Sequence, residues 1–223
     1  METRRTQILT IIQRRDGATV EELAKELELA PATVRRHLDI LQRDGLVRFA
    51  ESHHGVGRPS YVYSLTQQGQ EQLPREYDWL AGRFMQEVSN LGPEELRELA
   101  SGKSLVELVI GRIAGSKAAP YVGQLVGKDF DRTVQEMTRI LNEEHYAADA
   151  QEAPDGYRIR LHNCPYQQVA TSQHALCSLD AEFIHSLLGR PVVKEMTKVE
   201  GAGSCVLLVR RAQPADPITS GST

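Results

Sequence analysis

The sequence predicts an α+β protein: a three-helix head closed by a β-hairpin, then a run of helices, then a small region in which helices alternate with hairpins. Three observations carry this reading. Ile8, Ile11 and Ile12, then Val20, Leu23 and Leu27, then Val34, Leu38 and Leu41 recur at three- and four-residue steps, as in successive helices that each bury one stripe. Residues 46–49 and 61–65 read as strands flanking a turn-rich stretch with two glycines and a proline. Asp155-Gly156 lies between the strand-like segments 146–152 and 157–163, a strong hairpin signal.

Within the head, Gly17 separates the first helix from the second. Thr19 followed by Glu22 forms a Thr-x-x-Glu capping box, whose hydroxyl and carboxylate satisfy open amides at the start of a helix over residues 20–28. Pro31 suits the first position of the third helix, because the amide hydrogen it lacks would be unpaired there. Val34, Leu38 and Leu41 face inward, which turns Ala32, Thr33, Arg35, Arg36 and His37 outward near the helix start. Asp44-Gly45 ends that helix and the hairpin follows. Three helices and a hairpin make a winged helix-turn-helix over residues 1–66.

In such a domain the third helix enters the major groove of double-stranded DNA, where guanidinium groups reach guanine edges or phosphates. Thr33, Arg35, Arg36 and His37 are therefore candidate DNA contacts, joined by His54 and Arg58 on the Gly-Val-Gly-Arg-Pro wing. The competing reading of the same helix is a charged face that only keeps the chain in solution. For the pair His53 and His54, a turn exposed to solvent accounts for the residues better than a metal site does.

Composition sets limits on these readings. At 223 residues the chain is long enough for two modest domains, and 40% hydrophobic with 25% charged residues is ordinary for a folded protein. The longest apolar runs, such as residues 105–110, are far too short to span a bilayer. Residues 1–10 show no secretory pattern, so the expected location is the cytoplasm. A net charge of -4 argues against indiscriminate coating of nucleic acid. Residues 1–66 hold ten Lys and Arg against nine Asp and Glu, so the acidic excess lies in the remainder.

Residues 67–128 read as a helical linker and dimerisation region. Tyr77, Leu80, Phe84 and Val88 form one stripe, and residues 105–113 are densely apolar; Gly92-Pro93 separates two helices, and 115–120 is expected to end the second. One winged helix covers one half-site, so a palindromic operator calls for a homodimer with readers ~34–36 Å apart. Closure of a monomeric core is the alternative for the same stripes.

Residues 129–211 read as a small α+β sensor domain. Val134, Met137, Ile140 and Leu141 define a helix, residues 181–188 another, and residues 192–199 and 206–209 a second hairpin. Residues 212–223 lack apolar periodicity and read as a disordered tail. The three cysteines, Cys164, Cys177 and Cys205, follow a Cys-x12-Cys-x27-Cys spacing, without the tight Cys-x2-Cys pair common in structural zinc sites. Each falls at an expected junction between elements, where loops can bring sulfurs together. Thiolates are the soft ligands iron-sulfur clusters require, although a single cysteine is more often a small buried hydrophobe.

The runs "LAPATVRRHLDILQRDGLVRF" and "GVGRPSYVYSLT", with "HNCPY" at 162–166, "ALC" at 175–177, "LLGRPV" at 187–192 and "GAGSC" at 201–205, resemble the SufR-type family of iron-sulfur-responsive winged-helix regulators over nearly the whole chain. The resemblance implies a repressor whose DNA affinity is controlled by an iron-sulfur cluster, 4Fe-4S in preference to 2Fe-2S, held by Cys164, Cys177 and Cys205. It also implies control of cluster-assembly or iron and redox-response genes. Some members carry a further cysteine where this chain has Arg190 and Pro191. The fourth ligand is then His162, which would share a strand face with Cys164, or His174, or an open iron site. The other regulator reading keeps the winged helix and gives the C-terminal region a small organic ligand, with the cysteines merely packed. An enzyme is not expected, since no phosphate loop, carboxylate pair or nucleophile motif accompanies the cysteines.

Overall fold

The computed structural model describes residues 3–52, 60–102 and 104–211. It divides into two compact units that are not contiguous in sequence: 1–76 with 145–147 and 162–165, and 77–144 with 148–161 and 166–223. The expected tail at 212–223 and wing residues 53–59 lie outside the described residues.

The first unit opens with α1 (Arg4–Arg15), α2 (Val20–Leu27) and α3 (Pro31–Arg43), followed by the antiparallel hairpin β1 (Val47–Ser52) and β2 (Ser60–Leu65). The Thr19 capping box forms as the sequence predicts: the Glu22 amide donates to the Thr19 hydroxyl at 3.2 Å, and the Thr19 amide donates to the Glu22 carboxylate at 2.8 Å. The Thr19 amide, and then the Thr19 hydroxyl, which also donates to the carboxylate at 2.8 Å, hold the Glu22 carboxyl below its ordinary range. The expected inward stripes are the observed core, with Ile8, Leu23, Val34 and Leu38 fully buried. Ala18 adds a short third strand to the hairpin, its amide and carbonyl each bonding Tyr63 at 2.9 Å. Sequence periodicity offers no signal for a one-residue bridge.

After the hairpin, α4 (Gln67–Glu71) is capped by Thr66, whose hydroxyl accepts from the Gly69 amide at 3.0 Å and donates to the Gly45 carbonyl at 2.6 Å. Gly69 is required by close approach rather than by a turn. A Cβ there would sit 1.9 Å from the Leu46 carbonyl oxygen.

The second unit contains α5 (Tyr77–Ser89), α6 (Pro93–Ala100), α7 (Leu105–Leu125) and α8 (Phe130–Glu143). After them come β3 (Ala148–Ala153) and β4 (Gly156–Leu161), then α9 (Gln167–Ser172) and α10 (Ser178–Leu188), which a 3-10 turn over His174–Cys177 introduces, and finally β5 (Val192–Met196) and β6 (Cys205–Arg210). The four strands form one antiparallel sheet in the order β3-β4-β6-β5, so both expected hairpins form and join through β4 and β6. Helices α7, α8 and α10 fill the core with Val109, Ile113, Met137, Ile140, Phe183 and Ile184 against Ile159, Leu207 and Val209 of the sheet. The α+β class therefore holds, and the central helices share one compact unit with this sheet. Among the described residues no helix is long and apolar enough to cross a membrane.

Two local expectations are corrected here. The segment 115–120 does not end a helix: α7 runs through Gly115 and Pro120 to Leu125. Pro120 lies on the exposed face, where water can satisfy the carbonyl a proline leaves unbonded. Strand β4 ends at Leu161, so His162 and Cys164 share no strand face; both lie in the loop that follows.

A further feature of α7 runs against its apolar periodicity. Lys117 is buried, its ammonium 4.3 Å from the centre of the Trp79 ring and ion-paired with Glu144. Glu144 also accepts from the Tyr121 hydroxyl, so the internal charges are paired and further hydrogen-bonded.

Candidate nucleic-acid interface and thiol site

Helix α3 is fixed by one stripe and displays the opposite one. Val34, Leu38 and Leu41 are at most 1% exposed, while Ala32, Thr33, Arg35 and Arg36 lie on the surface. Ala30 at its N-cap provides no side-chain acceptor, Pro31 occupies the first turn without an N–H, and the Thr33 and Val34 amides bond the Ala30 carbonyl at 2.9 and 3.2 Å. Arg35 reaches back to Glu21 at 3.3 Å, an exposed pair of the kind that costs little to exchange for a phosphate.

His37 differs from its neighbours. It is half-buried, and its Nδ1 is enclosed without a hydrogen-bonding partner among the described residues. Of the sequence-predicted DNA contacts, Thr33, Arg35 and Arg36 thus share one exposed face, His37 lies at its edge, and His54 and Arg58 fall outside the described residues. Phe49 and Tyr61 of the hairpin, not singled out by sequence, stack edge-to-face at 5.1 Å and stay 46% and 44% exposed.

Residues 1–48 match the family described as winged helix-turn-helix DNA-binding. The head of the chain is a winged helix-turn-helix DNA-binding domain. Over 53 residues the chain is 40% identical to the probable C4-dicarboxylate response regulator DctR of Bacillus subtilis (strain 168), a match that spans 24% of this chain and 24% of that protein. A crystal structure of Bacillus subtilis PadR in complex with operator DNA aligns with 64% of this chain and 92% of its own at 14% identity, with a TM-score of 0.29, too loose a likeness to carry an argument.

The segments flanking the β3–β4 hairpin belong to the same unit as this domain. Asn163, 3% exposed, donates to the carbonyls of His145 and Pro74 at 2.7 and 3.3 Å, accepts from Arg75 at 2.6 Å, and bonds the Tyr146 carbonyl through its amide at 2.9 Å. Arg75 also donates to the Cys164 carbonyl at 2.8 Å, and Gln13 of α1 donates to the His162 carbonyl at 2.7 Å. His145 and Ala147 adopt left-handed backbone at φ 65 and 49, a conformation disfavoured for side-chain-bearing residues, and Tyr146 between them is fully buried. Cys164 and His162 are thus tied by their backbone to α1 and Arg75.

Cys177 and Cys205 lie in the other unit. Cys177 closes the 3-10 turn before α10, and Cys205 opens β6 opposite Leu161. Burial, then the negative charge of the buried Asp180, raises both thiols, Cys205 to about 11. The Lys198 amide donates to Cys205 Sγ at 3.4 Å, a bond that favours the thiolate and lowers this value in part. The charge of Cys177 adds a smaller rise at Cys205, and both thiols belong to this unit. His174, the second histidine candidate, is exposed and bonds the Thr171 carbonyl at 3.2 Å. Among the described residues no three or more His, Cys, Asp or Glu side chains are gathered as a metal ion would need.

Because the thiolate is the reactive form, native Cys205 should be alkylated by iodoacetamide at pH 8 on the order of a hundredfold more slowly than a free thiol, and labelling should accelerate as pH rises toward 11. Mass-spectrometric labelling of native and urea-unfolded chain measures this; equal rates at pH 8 would show the thiol to be open.

Proposed function

We propose that the chain is a DNA-binding transcriptional repressor that grips a palindromic operator as a homodimer through α3. The observation that carries the reading is the exposed Thr33, Arg35 and Arg36 on a helix locked by its opposite stripe, inside a domain that matches a DNA-binding family. The similarity to the probable response regulator DctR of Bacillus subtilis supports a regulatory role. Arginines at these positions would contact guanine edges or phosphates. In fluorescence anisotropy with genomic operator fragments, Arg36→Ala should weaken binding about tenfold or more, the worth of one good base or phosphate contact. Unchanged affinity and unchanged salt dependence would remove α3 from the interface.

Pairing of two copies is supported by α6. It is amphipathic yet contains no buried residue, with Leu96 54% exposed, and Leu105 and Val106 at the start of α7 are 40% and 42% exposed. Such apolar surface is the kind that association covers. Leu96→Glu should shift the chain from dimer to monomer in sedimentation velocity, and a monomeric wild type would end the homodimer reading.

The regulatory signal we propose is an iron-sulfur cluster, on the strength of the family resemblance. Two of the three cysteines, Cys177 and Cys205, belong to one unit, and the Lys198 amide donates to the Cys205 sulfur. When bound, a cluster would supply an oxidant-sensitive anionic group; Cys177 and Cys205 would contribute sulfurs and Lys198 an amide donor, while Cys164 is a further ligand implied by the resemblance. Anaerobic reconstitution should give visible absorbance and bound iron that Cys177→Ser and Cys205→Ser each abolish. A wild-type chain that takes up no iron would overturn the cluster and leave the operator reading standing.

A further inference from the structure

The second unit contains a cavity of about 280 Å3 between the end of α7, the start of α8 and the end of α10. Val122, Phe130 and Leu187 give it an apolar wall, and among the described residues Lys128 and Arg190 are its charged lining residues. The two cations are held differently. Arg190 lies 5.0 Å from the centre of the Phe130 ring and donates to the Arg211 carbonyl at 2.6 Å, which fixes the guanidinium beside the cavity. Lys128 pairs with Glu136 at 3.3 Å with its side chain 35% exposed, so it can turn toward an incoming anion at little cost.

We propose that this cavity binds a small organic carboxylate, its apolar body against Val122 and Leu187 and its carboxylate between Lys128 and Arg190. An apolar wall with a few convergent polar groups is the ordinary composition of a small-molecule site, and a volume near the low end of such sites selects a compact ligand. The charge of the lining selects its sign: among the described residues it has two cations and no acidic group, which favours a carboxylate over an amine. The occupant would touch α7 and α10 together, so binding would couple to the packing of these helices. This inference does not depend on iron.

Isothermal titration of the full chain with hexanoate, benzoate and hexylamine tests it. The expected result is saturable binding of at least one carboxylate, no binding of hexylamine, and a loss of at least about tenfold in affinity when Lys128→Gln and Arg190→Gln are combined. Because Arg190 also holds the Arg211 carbonyl, a second variant guards against misfolding: Val126→Glu, at a lining position 77% exposed, should repel the carboxylate without disturbing the core. Absence of saturable carboxylate binding, equal binding of hexylamine, or unchanged affinity in Val126→Glu would each overturn the proposal.

Discussion

The first unit depends on one buried asparagine. Its helices and hairpin come from the start of the chain, but its closing segments arrive more than seventy residues later, at 145–147 and 162–165. Asn163 makes that return possible by satisfying carbonyls from both stretches and taking a bond from Arg75. A buried amide with every group paired is stable, whereas an apolar substitute would strand two carbonyls and a guanidinium donor. The DNA-binding domain is therefore not a free-standing head of the chain: Gln13 on its first helix is bonded to the very loop that carries His162 and Cys164.

That wiring ties the 162–164 loop to α1, and α1 to the core that seats α3. Helix α3 owes its position to Val34, Leu38 and Leu41, which meet α1 and α2 in a single core cluster. A displacement of α1 would be felt in that cluster, because close-packed side chains transmit strain rather than absorb it. The coupling needed is small, since ~1.4 kcal/mol alters an equilibrium constant tenfold.

Most of the first unit was legible in the sequence because its signals are local. Capping by Thr19 and Glu22, Pro31 at a helix start and three apolar stripes all act within a few residues of themselves, and each appears where expected. The errors arise where a distant partner decides. Residues 115–120 look like a helix end, yet α7 continues because its buried face, with Ile113, Ala114 and Ala118, is held by tertiary packing. The loop at 162–164 reads as strand because alternation continues past Leu161, but Asn163 diverts the backbone into the other unit. Placement at element junctions suggested three sulfurs meeting; the fold puts Cys177 and Cys205 in one unit and Cys164 in the other, a division that local sequence signals do not carry.

The internal ion pair of Lys117 bears on how the second unit can move. With its ammonium against Trp79 and its partner Glu144 also held by Tyr121, α7 has a single register in which the charge is neutralised. Sliding the helix by one turn, about 5.4 Å, would leave a cation among hydrocarbon side chains. A rearrangement that preserves this pair must carry α7 and the Glu144 end of α8 together.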